Sequence, residues 1–170
     1  MKRKLIFIFV AALLLAPWTV AYAYGDASAD TGSIDITSAG AASLPRFNVY
    51  GNAIGGVTPG DLFLIDTSQS TVDTTFTLYI TNADELFHTY RYVTLNIGAY
   101  VQTGTGWEKV PIGTGENPQE TYLTMQNGVI NFVLEGSARY KITIDKGCFY
   151  CYGIRPGSST VLPDFYLTVS

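Results

Sequence analysis

Histidine, cysteine and charge are all scarce in this sequence. Its 170 residues hold one His and two Cys, and only 14% are Asp, Glu, Lys or Arg. One His excludes a multi-His metal site, and two Cys exclude a cysteine-rich zinc site, since structural zinc takes four such ligands. No phosphate-cradling Gly loop, paired-His zinc helix or strained nucleophile turn is found. The sole His88 stands in Phe87-His88-Thr89 with no nucleophile motif around it. It reads as a bystander, so no catalytic residue, cofactor or metal is expected and the chain does not read as an enzyme.

What is abundant points to β-structure. Apolar residues make up 47% and aromatics 14%, beside 17 Gly and 12 Tyr. That apolar share excludes a disordered chain, and the length suits one domain. Aromatic and β-branched side chains fit a pleated, half-buried surface.

The first 23 residues read as a cleaved signal peptide. Lys2, Arg3 and Lys4 precede the apolar run Leu5 to Leu15, Pro17 ends it, and Ala21-Tyr22-Ala23 places small residues where a signal peptidase reads. The expected location is therefore secreted, at the cell surface or in the extracellular matrix, with no membrane attachment after cleavage. Removing three basic residues takes the formal charge from −4 to −7. The other basic residues are scattered singly in sequence, which excludes nucleic acid as a partner.

Residues 24–32 are small and polar, a flexible leader by composition, and 33–170 read as a single domain with period-two alternation. Ile34 and Ile36 alternate with polar neighbours. So do Phe76, Leu78 and Ile80, then Val93, Leu95, Ile97, Ala99 and Val101. Asn127-Gly128 suits a two-residue type I′ turn, which would pair Met125 with Ile130 and Leu123 with Phe132 in a hairpin. Further strands read at Arg46 to Tyr50, Leu62 to Asp66, Trp107 to Val110, Tyr140 to Ile144 and Phe165 to Val169. Ala83 to Thr89 alone has a helical look. About nine or ten short antiparallel strands imply an all-β, Ig-like or jelly-roll sandwich, with Phe76, Leu78, Ile80, Val93, Leu95, Ile97, Leu123, Phe132, Ile142 and Leu167 buried.

Cys148 and Cys151 form a Cys-x-x-Cys pair in a chain expected to be exported, where thiols tend to oxidise. The interleaved Phe149 and Tyr150 do not suit the helix start of a redox site, so a structural disulfide clip is expected. It requires a turned segment, because an extended strand holds these Cα atoms about 10 Å apart. Asp61, Asp66, Asp73, Asp84 and Glu85 match no calcium-loop spacing and read as solvated acids.

The segment order in the N-terminal half resembles the TasA/camelysin family of secreted biofilm-matrix fibre proteins. Gly32-Ser33-Ile34-Asp35-Ile36-Thr37 is similar to the strand that opens its mature members. Phe47-Asn48-Val49, Val57-Thr58-Pro59-Gly60-Asp61 and Thr75 to Asn82 followed by Ala83-Asp84-Glu85-Leu86 resemble its next segments, over about residues 32–101. The resemblance implies a jelly roll that self-associates into filaments by donor-strand exchange, with Ile34 and Ile36 as anchors of the donor strand. The protease activity described for camelysins is not implied, since no His-rich zinc motif is present. The competing expectation is a monomeric binding module, with Tyr79, Tyr92, Tyr100 and Trp107 as an aromatic platform for a carbohydrate such as a surface polysaccharide, or for another cell-surface ligand.

Overall fold

The computed structural model describes residues 19–20, 22–26, 34–50, 53–114, 117–152 and 161–170. Its strands, in chain order, are β1 (Thr19–Val20), β2 (Tyr22–Asp26), β3 (Asp35–Ser38), β4 (Arg46–Tyr50), β5 (Ile54–Thr58), β6 (Gly60–Asp66) and β7 (Thr74–Ile80). A helix, α1 (Ala83–Thr89), leads into β8 (Tyr90–Thr103), β9 (Gly106–Val110), β10 (Thr121–Thr124), β11 (Val129–Leu134), β12 (Arg139–Cys151) and β13 (Asp164–Val169). They form a nine-stranded and a four-stranded sheet, an all-β sandwich. Every pairing is antiparallel except that of β2 with β13.

The large sheet is organised around a two-stranded ribbon. The 14-residue β8 and the 13-residue β12 pair from Tyr140 opposite Val101 to Cys151 opposite Tyr90. On its other side β12 meets β6 through its first half and β5 through its second. On the far side of β8, β9 pairs with the C-terminal half and β10 with the N-terminal half. The small sheet runs β11-β7-β13-β2.

The alternation read from sequence sets the interior. All ten residues expected in the core are buried, from Phe76, Leu78, Val93, Leu95, Ile97, Leu123, Ile142 and Leu167 at 0% exposure to Ile80 at 6%. Across the small sheet Phe76 stands opposite Phe132, their rings stacked at 5.9 Å between centroids. α1 is the expected short helix, burying only Leu86. Among the described residues no helix is long and apolar enough to cross a membrane.

Four features differ from the sequence reading. The hairpin around Asn127-Gly128 does not form, since β10 pairs with β8 in the large sheet and β11 with β7 in the small one. The apolar residues on either side of the turn do share one interior, but they face each other across the sandwich. Gly128 adopts the expected positive φ of 55°, whereas Asn127 does not, and its Oδ1 instead accepts the Thr124 amide proton at 2.8 Å. Second, β5 was not among the expected strands; it pairs with β4 and β12, and its Gly55 leaves room for the Phe149 ring, which lies where a Cβ would stand.

Third, Cys148 and Cys151 are free thiols rather than a clip. The segment is not turned: β12 continues in register through Phe149 opposite Val93, leaving Cys148 exposed and Cys151 buried. Side chains three apart on a strand point to opposite faces. Fourth, the stretch expected to be a flexible leader is strand over its first residues, because β2 runs to Asp26 along β13. Residues 1–18, 21 and 27–32 of the expected signal peptide and leader, with Ser33 of the expected domain, lie outside the described residues.

β3 is the strand expected to act as donor, and here it pairs with β6 of its own chain, Ile36 opposite Ile65. Ile34 and Ile36 are 9% and 8% exposed within the core. Ile36→Ala is expected to lower monomer stability by about 2–5 kcal/mol, the range for truncating a buried Ile. Urea denaturation checks it, and an unchanged midpoint would mean that β3 contributes nothing to its own sandwich.

Candidate functional site: the outer face of the large sheet

Each strand of the ribbon buries one face, so its alternate residues are presented on the other. Two cross-strand rows result. The first runs Thr37, Leu64, Lys141, Tyr100, Lys109 over β3, β6, β12, β8 and β9. Beside it, Asp35 stands opposite Asp66 and Asp66 opposite Arg139, while Gln102 stands opposite Trp107.

At the centre Asp145 stands on this face beside Lys141 and Thr143, and a bulge in β12 between Ile144 and Lys146 brings Lys146 onto the same face next to it. Gly98 makes room for it, since a Cβ there would lie 2.6 Å from both carboxylate oxygens. Asp145 Oδ1 accepts hydrogen bonds from Thr143 Oγ1 at 2.5 Å and Tyr100 Oη at 3.1 Å. Its Oδ2 takes the Lys109 ammonium at 2.5 Å. Burial pushes the Asp145 pKa up, but the hydrogen bonds from Lys109 and Thr143 outweigh it, and the net shift is downward. Burial, then the nearby Asp145 charge, pushes the Tyr100 hydroxyl up.

This face also gathers basic residues that are scattered in sequence. Seven Lys and Arg lie beyond residue 23, and five of them (Arg91, Lys109, Arg139, Lys141 and Lys146) stand on β8, β9 and β12. Four are ion-paired: Lys109 with Asp145, Arg139 Nε with Asp66 at 2.8 Å, Lys141 with Asp61 at 3.3 Å and Lys146 with Glu120 at 3.1 Å. Most also lie against aromatic rings. Lys141 Nζ is 5.4 Å from the Tyr100 centroid and 5.3 Å from that of Trp107. Lys146 lies over Tyr122, and Arg91 over both Tyr150 and Tyr152. Such contacts contribute about 0.5–1 kcal/mol each at exposed positions. The net effect is a face of nearly balanced charge on an acidic protein.

The four aromatic residues expected as one platform separate into three places. Tyr100 and Trp107 come together around Lys141. Tyr92 stacks on Tyr150 at 6.1 Å, eight residues and about 27 Å along β8 from Tyr100. Tyr79 belongs to the other sheet, against Tyr166. Next to Trp107 a groove of ≈ 270 Å³ opens over β3, β6, β12, β8 and β9, with Asp35, Thr37, Leu64, Gln102 and Arg139 in its lining. Sequence reasoning missed these partners because they are contributed by five strands spread over a hundred residues. Only Trp107 carried a compositional signal.

His88 is exposed on α1, away from these rows. Among the described residues no group of three His, Cys, Asp or Glu is placed to hold a metal ion. Asp61 and Asp66 instead pair with Lys141 and Arg139, and Ser68 holds the Asp66 pKa low through hydrogen bonds to its carboxylate. Neither a protein-family model nor a curated protein matches this sequence.

Two outcomes follow from this geometry. Asp145→Asn should destabilise the fold at neutral pH by about 1–2 kcal/mol, through loss of the charge-assisted bond to Lys109. The folded pKa lies below the unfolded one, so this contribution is present at neutral pH and lost as pH falls through the lowered value. The gap between variant and parent, measured by thermal melts across acid pH, should therefore close on acidification. With a thiol reagent, Cys148 should react in the native protein and Cys151 only on unfolding, since Cys151 is 1% exposed and burial pushes its thiol pKa up.

Proposed function

We propose that this chain is the precursor of a secreted structural protein, a subunit of cell-surface or matrix fibres that assemble by exchange of edge strands. The observation that carries the reading is where the N-terminal strands lie. β1, β2 and β3 are all edge strands: β1 and β3 end the strand path of the large sheet, and β2 ends the small one. An edge strand can leave without breaking any other pairing, and it exposes a template of unpaired N–H and C=O groups. When the strand that replaces it comes from an identical chain, it makes the same contacts, so exchange costs little enthalpy.

The expected cleavage after Ala23 falls within β2. It would remove β1 from β4 and Tyr22 and Ala23 from their places beside Asp164 and Phe165. Processing would then open two edges at once, which gives export a reason to precede assembly. The resemblance of residues 32–101 to fibre-forming proteins supports the same reading.

A reversible lock tests it. Thr37 and Leu64 are directly opposed and exposed on β3 and β6, positions from which two introduced thiols can bond. Processed protein is expected to form large, heat-resistant species by sedimentation and filaments by electron microscopy. The oxidised Thr37→Cys/Leu64→Cys variant, made with Cys148→Ser, should remain monomeric and assemble on reduction. A locked variant that polymerises like the parent, or a parent that stays monomeric after processing, would overturn the reading.

A further inference from the structure

We infer that the groove beside Trp107 is a binding site for one ring of an uncharged, all-equatorial sugar chain. The site needs β3, which supplies Asp35 and Thr37, in place beside β6, whether that strand comes from the same chain or from an identical one. Ring size, polarity and charge all point the same way. A pyranose whose hydroxyls are equatorial has a flat C–H face and a rim of hydroxyls, each both donor and acceptor. The groove offers the matching surfaces. Trp107, 41% exposed, and Leu64, 42% exposed, supply apolar area in the open. The Lys141 ammonium against the indole restrains the ring before any ligand arrives.

The polar rim mixes donors and acceptors that the fold leaves unused. Arg139 bonds Asp66 through Nε, which leaves the rest of its guanidinium fork free to donate. Asp35, Thr37 and Gln102 have no side-chain hydrogen-bond partner among the described residues. Asp35 also faces the like charge of Asp66 directly across β3 and β6. Such a pairing is unfavourable on its own, and a hydroxyl donor between the two strands would relieve it. The lining carries the carboxylates of Asp35 and Asp66 against the single guanidinium of Arg139, and Lys141 beside it is paired with Asp61, so the groove has no positive charge left over with which to select an anion.

Size then separates a chain from a free small molecule. At ≈ 270 Å³ the groove is at the lower limit of ligand sites, which start near about 300 Å³. It therefore seats one ring and leaves the flanking rings of an oligosaccharide to extend over the open face of the sheet.

The sequence provides a reporter. Its two tryptophans are Trp18 and Trp107, so in the full chain carrying Trp18→Phe all tryptophan emission comes from the groove. Titration with cellopentaose and with laminaripentaose should shift that emission saturably for at least one of them. An anionic oligogalacturonate should leave it unchanged. By calorimetry, Trp107→Ala should weaken binding at least tenfold, and Tyr92→Ala, at the far end of β8, should not. Gln102→Ala and Asp35→Asn replace exposed side chains and should each weaken binding several-fold, so they decide the matter if Trp107→Ala fails to fold. No saturable response to either neutral oligosaccharide, an equal response to oligogalacturonate, or undiminished binding in the groove variants would overturn the inference.

Discussion

The pairing of β8 with β12 is the constraint on which the rest of the molecule depends. β12 is bordered by β8 along its whole length and by β6 and β5 in succession, and β8 carries β9 and β10 on its far side, so four of the other seven strands of the large sheet touch this ribbon directly. Its register is not uniform. The bulge between Ile144 and Lys146 moves every later side chain of β12 by one position, which returns Phe149 to the core after the exposed Lys146. Without that insertion the second half of β12 would present Phe149 to water and turn Tyr150 inward. Gly98 lies across from the bulge because the Asp145 carboxylate needs the volume that a side chain there would fill. One irregularity thus keeps the core continuous and sets Lys146 beside Asp145 on the outer face.

That outer face shows how a protein of low charge spends its few ions. Lysines and arginines are placed over tyrosine and tryptophan rings and against carboxylates, so their long stems cover apolar surface that the sheet would otherwise expose. The pairs are partly exposed and individually weak. Their larger effect is on shape, because they hold Tyr100 and Trp107 in fixed positions beside the groove.

Much of this fold was legible from the period-two pattern. The ten residues read as core are buried because alternation on a strand reports directly which face meets the interior. What alternation does not report is the partner. Leu123 and Phe132 were rightly read as facing the same interior, but the local turn suggested adjacent strands where the fold uses opposite sheets. β5 was not read from sequence because Gly55 is there for the Phe149 ring, a contact ninety-four residues away. The same limit applied to the site. Tyr79, Tyr92, Tyr100 and Trp107 are all exposed or half-buried, yet only two of them come together, since the grouping is set by pairings between distant strands. The cysteines were misread because the course of the backbone through Gly147, straight rather than turned, is decided by its neighbours on β5 and β8.

The position of β13 has a consequence for the order in which the molecule assembles itself. In the small sheet β13 lies between β7 and β2, so the segment Asp164–Val169 is an interior strand whose two neighbours are separated from it by some ninety and some hundred and forty residues. Loop closure over such distances is slow, and the sheet has no local hairpin to start from. A chain made from its N-terminus therefore leaves β7 with one unpaired side until almost all of it has emerged. Closure of the small sheet is thereby deferred to a late step in the emergence of the chain.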